Sequence, residues 1–197
     1  MIIILDAGHG EETPGKRSPD GTLREYKYCR EIMQEVKKQL EDKGFTVETT
    51  VTDSSDVPLM KRCQIVNKYC SKYGTSNTLL VSIHNNAAGS GKNWMTARGW
   101  SVFVSLNGST KSKKLAECLT KAAEMEKIKI RRPSPNQDYW AQNLAICRET
   151  KCPAVLTENM FQDNKEDVAY LLSDKGRKSI VKLHVDGILN YIKYIKN

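Results

Sequence analysis

Three histidines occur in the 197 residues, and two of them occupy the same kind of position. His9 closes the apolar run ILDAGHG and His84 closes VSIHNN, each where a chain leaving a buried strand turns polar. One strand-terminal histidine is ordinarily a hydrogen-bonded structural residue. Two at matching strand ends can share a ligand, because sites in open sheets with helical crossovers gather beyond the carboxyl ends of the strands. The carboxylate that would complete such a set is Glu25. In EYKYCREIMQEVKKQLEDKG it heads a helical stripe with Cys29, Ile32, Val36 and Leu40, the face turned toward a sheet, where an unpaired charge is costly. Either Glu25 serves the positive end of its helix, worth about 0.3 to 1 kcal/mol, or it binds a cation. Glu11 and Glu12, on the loop just past His9, compete for the same role, and Glu25 is preferred for its place on the helix. Two imidazoles and one carboxylate form a ligand set of catalytic Zn²⁺ that leaves a position for water, whereas structural zinc is usually closed by four protein ligands that include cysteine. One Zn²⁺ on His9, Glu25 and His84 is therefore the expected cofactor.

Metal-assisted hydrolysis also needs a side chain to take a proton and return it to the leaving group. Glu158 in PAVLTENMF stands where another apolar run ends, and is either that group or an exposed acid at a strand end. Asn85 and Asn86, directly after His84, would contact substrate or orient the ligand, unless they only form a turn. Arg131 and Arg132 share a basic loop with Tyr139 and Trp140, and would line a groove by pairing with carboxylates while the aromatics stack on sugars, or else stay solvated. His184 falls on a stripe with Val181, Ile188, Tyr191 and Ile195 and reads as a core residue outside the site.

The elements that would position these residues alternate along the chain. Residues 2–7 form a strand apolar on both faces, followed by a glycine-rich loop and the helix headed by Glu25, with Gly44 as its stop. FTVETTVT reads as a strand, and SSDVPLMKRCQIVNKYCSKYG as a capped helix with apolar Leu59, Ile65, Val66 and Tyr69. TLLVSIHNN and GWSVFVSL are further strands, SKKLAECLTKAAEMEKI a helix, and IRRPSPNQDYW a surface loop. LAICRETKCPAVLTENMF supplies one or two strands, and the last 30 residues, through IVKLHVDGILNYIKYI, a helical tail. Such alternation predicts an α/β fold, a mostly parallel or mixed sheet with helices on both faces.

Residues 1–197 read as a single domain, long enough to bury one substantial core. A net charge of +8 favours an acidic partner, whether nucleic acid, an anionic membrane or an anionic wall polymer. No stretch reaches the roughly 18 apolar residues of a membrane span, so stable membrane insertion is not expected. Nucleic acid is excluded as well, for want of a basic stripe interleaved with aromatics or a recognisable binding motif. The six cysteines include no CxxC pair and read as free, buried thiols.

With His9, Glu25, His84 and Glu158 assembled, the chain resembles the zinc-dependent N-acetylmuramoyl-L-alanine amidases of the amidase 3 family. The resemblance is carried in order by LDAGHG, GTLREYKYCREI, VTDSSDVPLMKRCQIVN, VSIHNNAA and PAVLTENMFQDNKEDVAYLLSD, almost the whole chain. It implies zinc on His9, Glu25 and His84, Glu158 as catalytic acid or base, and a twisted sheet of about six strands. The implied substrate is peptidoglycan, cut between N-acetylmuramic acid and the L-alanine that opens the stem peptide. In one respect the sequence departs from the family, which often has a small residue before the phenylalanine: here Asn159 and Met160 separate Glu158 from Phe161. Met1 leads straight into Ile2 without a basic n-region or cleavage site, which is similar to an endolysin made in the cytoplasm and acting on the wall after release. A monomer is expected. The competing readings are a zinc carboxypeptidase or other amide hydrolase with the same ligands, and a wall-binding module without activity.

Overall fold

The computed structural model describes residues 1–196 and contains one mixed sheet of six strands among them. In chain order the elements are β1 (Ile2–Ala7), α1 (Glu25–Glu41), β2 (Thr46–Thr49), α2 (Leu59–Tyr73), β3 (Thr78–Asn86), β4 (Ser101–Ser105), α3 (Thr110–Met125), β5 (Trp140–Gln142), α4 (Ala145–Arg148), β6 (Ala154–Phe161), α5 (Lys165–Leu172) and α6 (Asp174–Lys196). The strands lie in the order β2-β1-β3-β6-β4-β5. Neighbours from β2 to β6 run parallel, β4 is antiparallel to β6, and β5 is parallel to β4.

All six residues of β1 are buried because helices cover both faces, and the period of two divides them. Ile3, Leu5 and Ala7 join the larger core under α1, α3 and α6, while Ile2 and Ile4 join a second core with Cys63, Val66 and Cys70 of α2 and Ile146 of α4. The six cysteines are buried and free, as small apolar fillers. His184 is also core: Nδ1 donates to the Ile180 carbonyl at 2.7 Å, which leaves Nε2 to accept from the Thr157 hydroxyl at 2.9 Å. Burial pushes its pKa down to about 4, so it stays neutral.

Three local expectations are corrected. Of the one or two strands expected in LAICRETKCPAVLTENMF one forms, β6, while the LAIC part makes the single turn α4; the surface loop runs into the short edge strand β5. The buried stripe of α2 is Arg62, Cys63, Val66 and Cys70, while Leu59 is exposed. No side chain caps that helix, because its N-cap position is held by Pro58, whose side chain has no acceptor.

Candidate metal and catalytic site

The carboxyl ends of β1, β3 and β6 lie side by side, and each delivers one polar group. Beyond β1 the chain is squeezed against its neighbours. A Cβ on Gly8 would fall 2.4 Å from the His84 ring, and one on Gly10 would fall 2.2 Å from the Asp56 backbone nitrogen. Between these glycines His9 adopts φ +58°, a left-handed conformation uncommon for a residue with a side chain. Arg62 holds it there: the guanidinium, 4% exposed, donates to the carbonyls of Ala7, His9 (3.2 Å) and Val57 (2.7 Å) and pairs with Asp6 at 2.9 Å. Asp6 also accepts from Ser82 at 2.6 Å and from Thr50. Burial works to raise the Asp6 carboxyl, but Arg62 and the other neighbours overcome it and hold the pKa below the usual carboxylate value.

Glu25, the first residue of α1, is fully buried. Its carboxylate does not cap its own helix. Oε1 lies 3.2 Å from His84 Nδ1 and 3.5 Å from His9 Nε2, and accepts the Asn85 backbone N–H at 3.0 Å. The two imidazoles meet edge to face with centroids 5.1 Å apart, and ligand atoms from His9, Glu25 and His84 all lie within 4.8 Å of one another. Glu25 Oε2 is buried with no hydrogen-bond partner among the described residues, which is how a carboxylate prepared for a cation looks. Burial opposes the Glu25 charge, yet His84 and then His9 hold its pKa below the ordinary value. Burial likewise opposes charge on His84, but Glu25 outweighs it and raises the pKa, while burial carries His9 down to about 4. Glu25 thus favours positive charge beside it, on the His84 side, and a divalent cation would supply that charge instead. The residues fit a zinc ion of the open, catalytic kind. Glu11 and Glu12 are exposed and outside this cluster, Glu11 pairing with Arg24 at 3.4 Å.

Glu158 sits in register with His84 on the neighbouring strand. It is half-buried at the cleft floor, but its Oε2 is sealed without a hydrogen-bond partner among the described residues. Burial is the main cause that raises its pKa to about 7, and Glu25 adds to it while His84 opposes it. After Glu158 the register slips, so that Asn86 faces Phe161, and Met160 takes φ +64°. The two residues that separate Glu158 from Phe161 are therefore a β-bulge, and it turns Asn159 inward. Asn159 donates to the His84 carbonyl at 3.0 Å, while its Oδ1 accepts from Trp100 Nε1 at 3.0 Å and its carbonyl from Asn85 Nδ2 at 2.6 Å.

Two of the anticipated substrate contacts are corrected. Asn85 is 3% exposed and its side chain is spent on Asn159 and the Cys29 thiol, so it orients the neighbourhood of Glu25 and His84 and offers nothing to a substrate. Arg132 is committed to Glu124 and, at 3.1 Å, to Asp138. Asn86 and Arg131 do line the cleft, in a cavity of about 270 Å³ with Glu158, Phe161 and Leu144. Leu144 also lines a second cavity of about 420 Å³ with His9, His84, Val57, Pro58 and Ile146, so the two cavities adjoin at that residue. A larger cavity of about 540 Å³, lined by residues such as Ser109, Lys111 and Lys151, contains none of the four site residues. Sequence reasoning missed Asp6, Arg62 and Asn159. The signal for the first two was present: an acid inside an apolar strand and an arginine on the buried stripe of a helix each need a partner.

Residues 3–190 match the amidase 3 family, described as N-acetylmuramoyl-L-alanine amidase. The chain is 30% identical over 197 residues to an endolysin of Bacillus phage SPP1, covering 99% of this chain and 67% of the endolysin. It is 28% identical over 191 residues to a probable cell wall amidase LytH of Staphylococcus epidermidis, covering 96% of this chain and 57% of that protein. The chain therefore spans little more than half the length of that relative. Among solved structures, an N-acetylmuramoyl-L-alanine amidase from Clostridium difficile 630 superposes with a TM-score of 0.81 at 24% identity, covering 98% of this chain and 96% of that one. The catalytic domain of CwlV, an N-acetylmuramoyl-L-alanine amidase from Bacillus (Paenibacillus) polymyxa var. colistinus, gives 0.80 at 22% identity and covers 98% of each chain. At these identities the structural likeness establishes the fold.

Proposed function

The chain belongs to the amidase 3 family of N-acetylmuramoyl-L-alanine amidases, and from that premise we propose that it hydrolyses the amide between N-acetylmuramic acid and L-alanine in peptidoglycan with one Zn²⁺ on His9, Glu25 and His84. The observation that carries the reading is the convergence of those three side chains within 4.8 Å, around a carboxylate with one orphaned oxygen. Zinc bound there supplies Lewis acidity toward the scissile carbonyl and lowers the pKa of water. Glu158 takes the proton from the attacking water and hands it to the leaving alanine nitrogen. Its pKa near 7 suits both halves of that exchange, since a base that must later act as an acid works best close to the ambient pH. Asn85 and Asn159 hold Glu25 and the His84 backbone in place, and Arg62 holds the His9 loop. No covalent intermediate is needed. Like the phage endolysin to which it is similar, the protein would act on the wall, and no helix among the described residues is long and apolar enough to cross a membrane.

Digestion of purified walls followed by end-group analysis tests the bond. New N-terminal alanine is expected, whereas released terminal D-alanine would identify a carboxypeptidase using the same ligands. Chelation should abolish lysis and added Zn²⁺ restore it. Lysis that persists without metal would refute the assigned ligand role.

A further inference from the structure

We infer that Arg131 is the specificity residue for the peptide side of the scissile bond, binding a free carboxylate on the stem-peptide residue that follows L-alanine. The inference rests on the amidase reading above and extends it to a substrate class.

Several observations place the guanidinium ready for an anion. Arg131 is exposed and forms no salt bridge among the described residues, in a protein where Arg24, Arg62, Arg98 and Arg132 are each paired with acids. It is nevertheless held. Its N–H donates to the Trp100 carbonyl at 2.7 Å and its carbonyl accepts from Trp140 Nε1 at 2.9 Å. Its guanidinium carbon lies 4.6 Å from the Trp140 ring centroid and 5.8 Å from that of Phe161. Pairing of β4 with β5 sets Phe103 beside Trp140 and stacks the rings 6.2 Å apart, so the platform under the arginine is itself supported by the sheet. A planar cation stacked on an aromatic ring keeps its edge N–H groups free, and those groups match a carboxylate in bidentate fashion. Fixing it beforehand lowers the entropy lost on binding.

The groove gives the direction. Arg131 and Glu158 line the same cavity of about 270 Å³, whereas His9 and His84 face the other, more apolar cavity with Val57, Pro58 and Ile146, where the Arg62 guanidinium is already spent on Asp6 and Asp56. The scissile amide has a neutral side and an anionic side. The lactyl carboxyl of muramic acid is consumed in the amide and the sugar nitrogen is acetylated, so charge is found on the peptide. A cation on one side of Glu158 therefore selects the peptide for that side.

The test compares L-alanyl-D-glutamic acid γ-methylamide, whose α-carboxylate is free, with the corresponding α-carboxamide, L-alanyl-D-isoglutamine γ-methylamide, as ligands by titration calorimetry with the zinc-loaded protein. The native protein should prefer the carboxylate by about tenfold, the worth of one charge-assisted pair. In Arg131→Gln the preference should fall to within twofold, and in Arg131→Glu it should invert toward the amide. Because the readout is a ratio of two ligands on one protein, a reduced folded fraction cancels. Equal binding of both ligands by the native protein, or a carboxylate preference that survives in Arg131→Glu, would overturn the inference. Wall digestion reports separately: release of N-terminal alanine without discrimination between the two ligands defeats only the role of Arg131, and discrimination without that release defeats the amidase reading.

Discussion

Glu158 is where a single side chain decides most. Its carboxyl is pushed up to about 7 by burial, so the fold favours the neutral form and loses stability as pH rises from the ordinary value near 4.5 through about 7. Replacing it with glutamine removes that cost together with the proposed proton carrier. Glu158→Gln should lower turnover by about 10²- to 10⁴-fold while retaining zinc. The metal-free variant should melt above the native protein at pH 8, with the gap closing by pH 5. Lysis rate, metal content and thermal melts at the two pH values check all three, and native-rate lysis by the variant would remove Glu158 from the reaction. As a base the group must be ionised, so kcat/KM should rise with pH along an acid limb whose midpoint lies at or below 7, since a nearby divalent cation favours the carboxylate. That limb should be missing from the residual activity of the variant. At this scale the sequence was legible wherever a residue contradicted its surroundings: histidines ending apolar runs, an acid heading a buried stripe. Asn159 contradicted nothing, and its three hydrogen bonds exist only because a bulge turns it inward.

Among the elements, the loop between β1 and α1 depends on contacts that no single segment contains. Gly8 packs so closely on the His84 ring that Gly8→Ala must displace that ring; if His84 holds zinc as proposed, the variant should lose at least tenfold in zinc affinity, measured by competition with a chelating dye. The pair formed by α2 and β1 is tested by Arg62→Met, which leaves Asp6 buried without its cation. Breaking such a pair costs about 3 to 5 kcal/mol. The sign follows from the lowered Asp6 pKa: its ionisation stabilises the native protein above the ordinary value of 3.8, and that contribution is lost as pH falls through the lowered value. In the variant Asp6 is protonated more readily, so the deficit in unfolding free energy should be largest near pH 7 and shrink toward pH 4. Strands and long helices were readable because apolar periodicity reports burial directly. The turn α4 and edge strand β5 were not, since three or four residues carry too little periodicity to separate one state from the other. The stripe of α2 was misjudged because Arg62, a charged residue, occupies the buried place that Leu59 was expected to take.

For the whole molecule, alternation of strands and helices foretold a sheet covered on both faces, but not that β4 enters it against the direction of β6. A strand buried on two faces has the same composition whichever way its neighbour runs, so direction is decided by connections that the pattern does not record. Net charge is a property of the same scale, and its consequence is separable from the chemistry. A charge of +8 draws the protein to an anionic polymer over distances that salt screens, with a Debye length of about 10 Å at 0.1 M ionic strength and about 3 Å at 1 M. The groove chemistry acts over direct contacts and is screened far less. Lysis of intact walls should therefore fall severalfold between low salt and 0.5 M NaCl, while cleavage of a small, amidated and uncharged muramoyl peptide at saturating concentration stays within twofold. Turbidity loss and chromatographic product release measure the two rates in the same buffers. A parallel loss of both would mean that salt disturbs the site itself, and the long-range attraction would then have no part in bringing enzyme to wall.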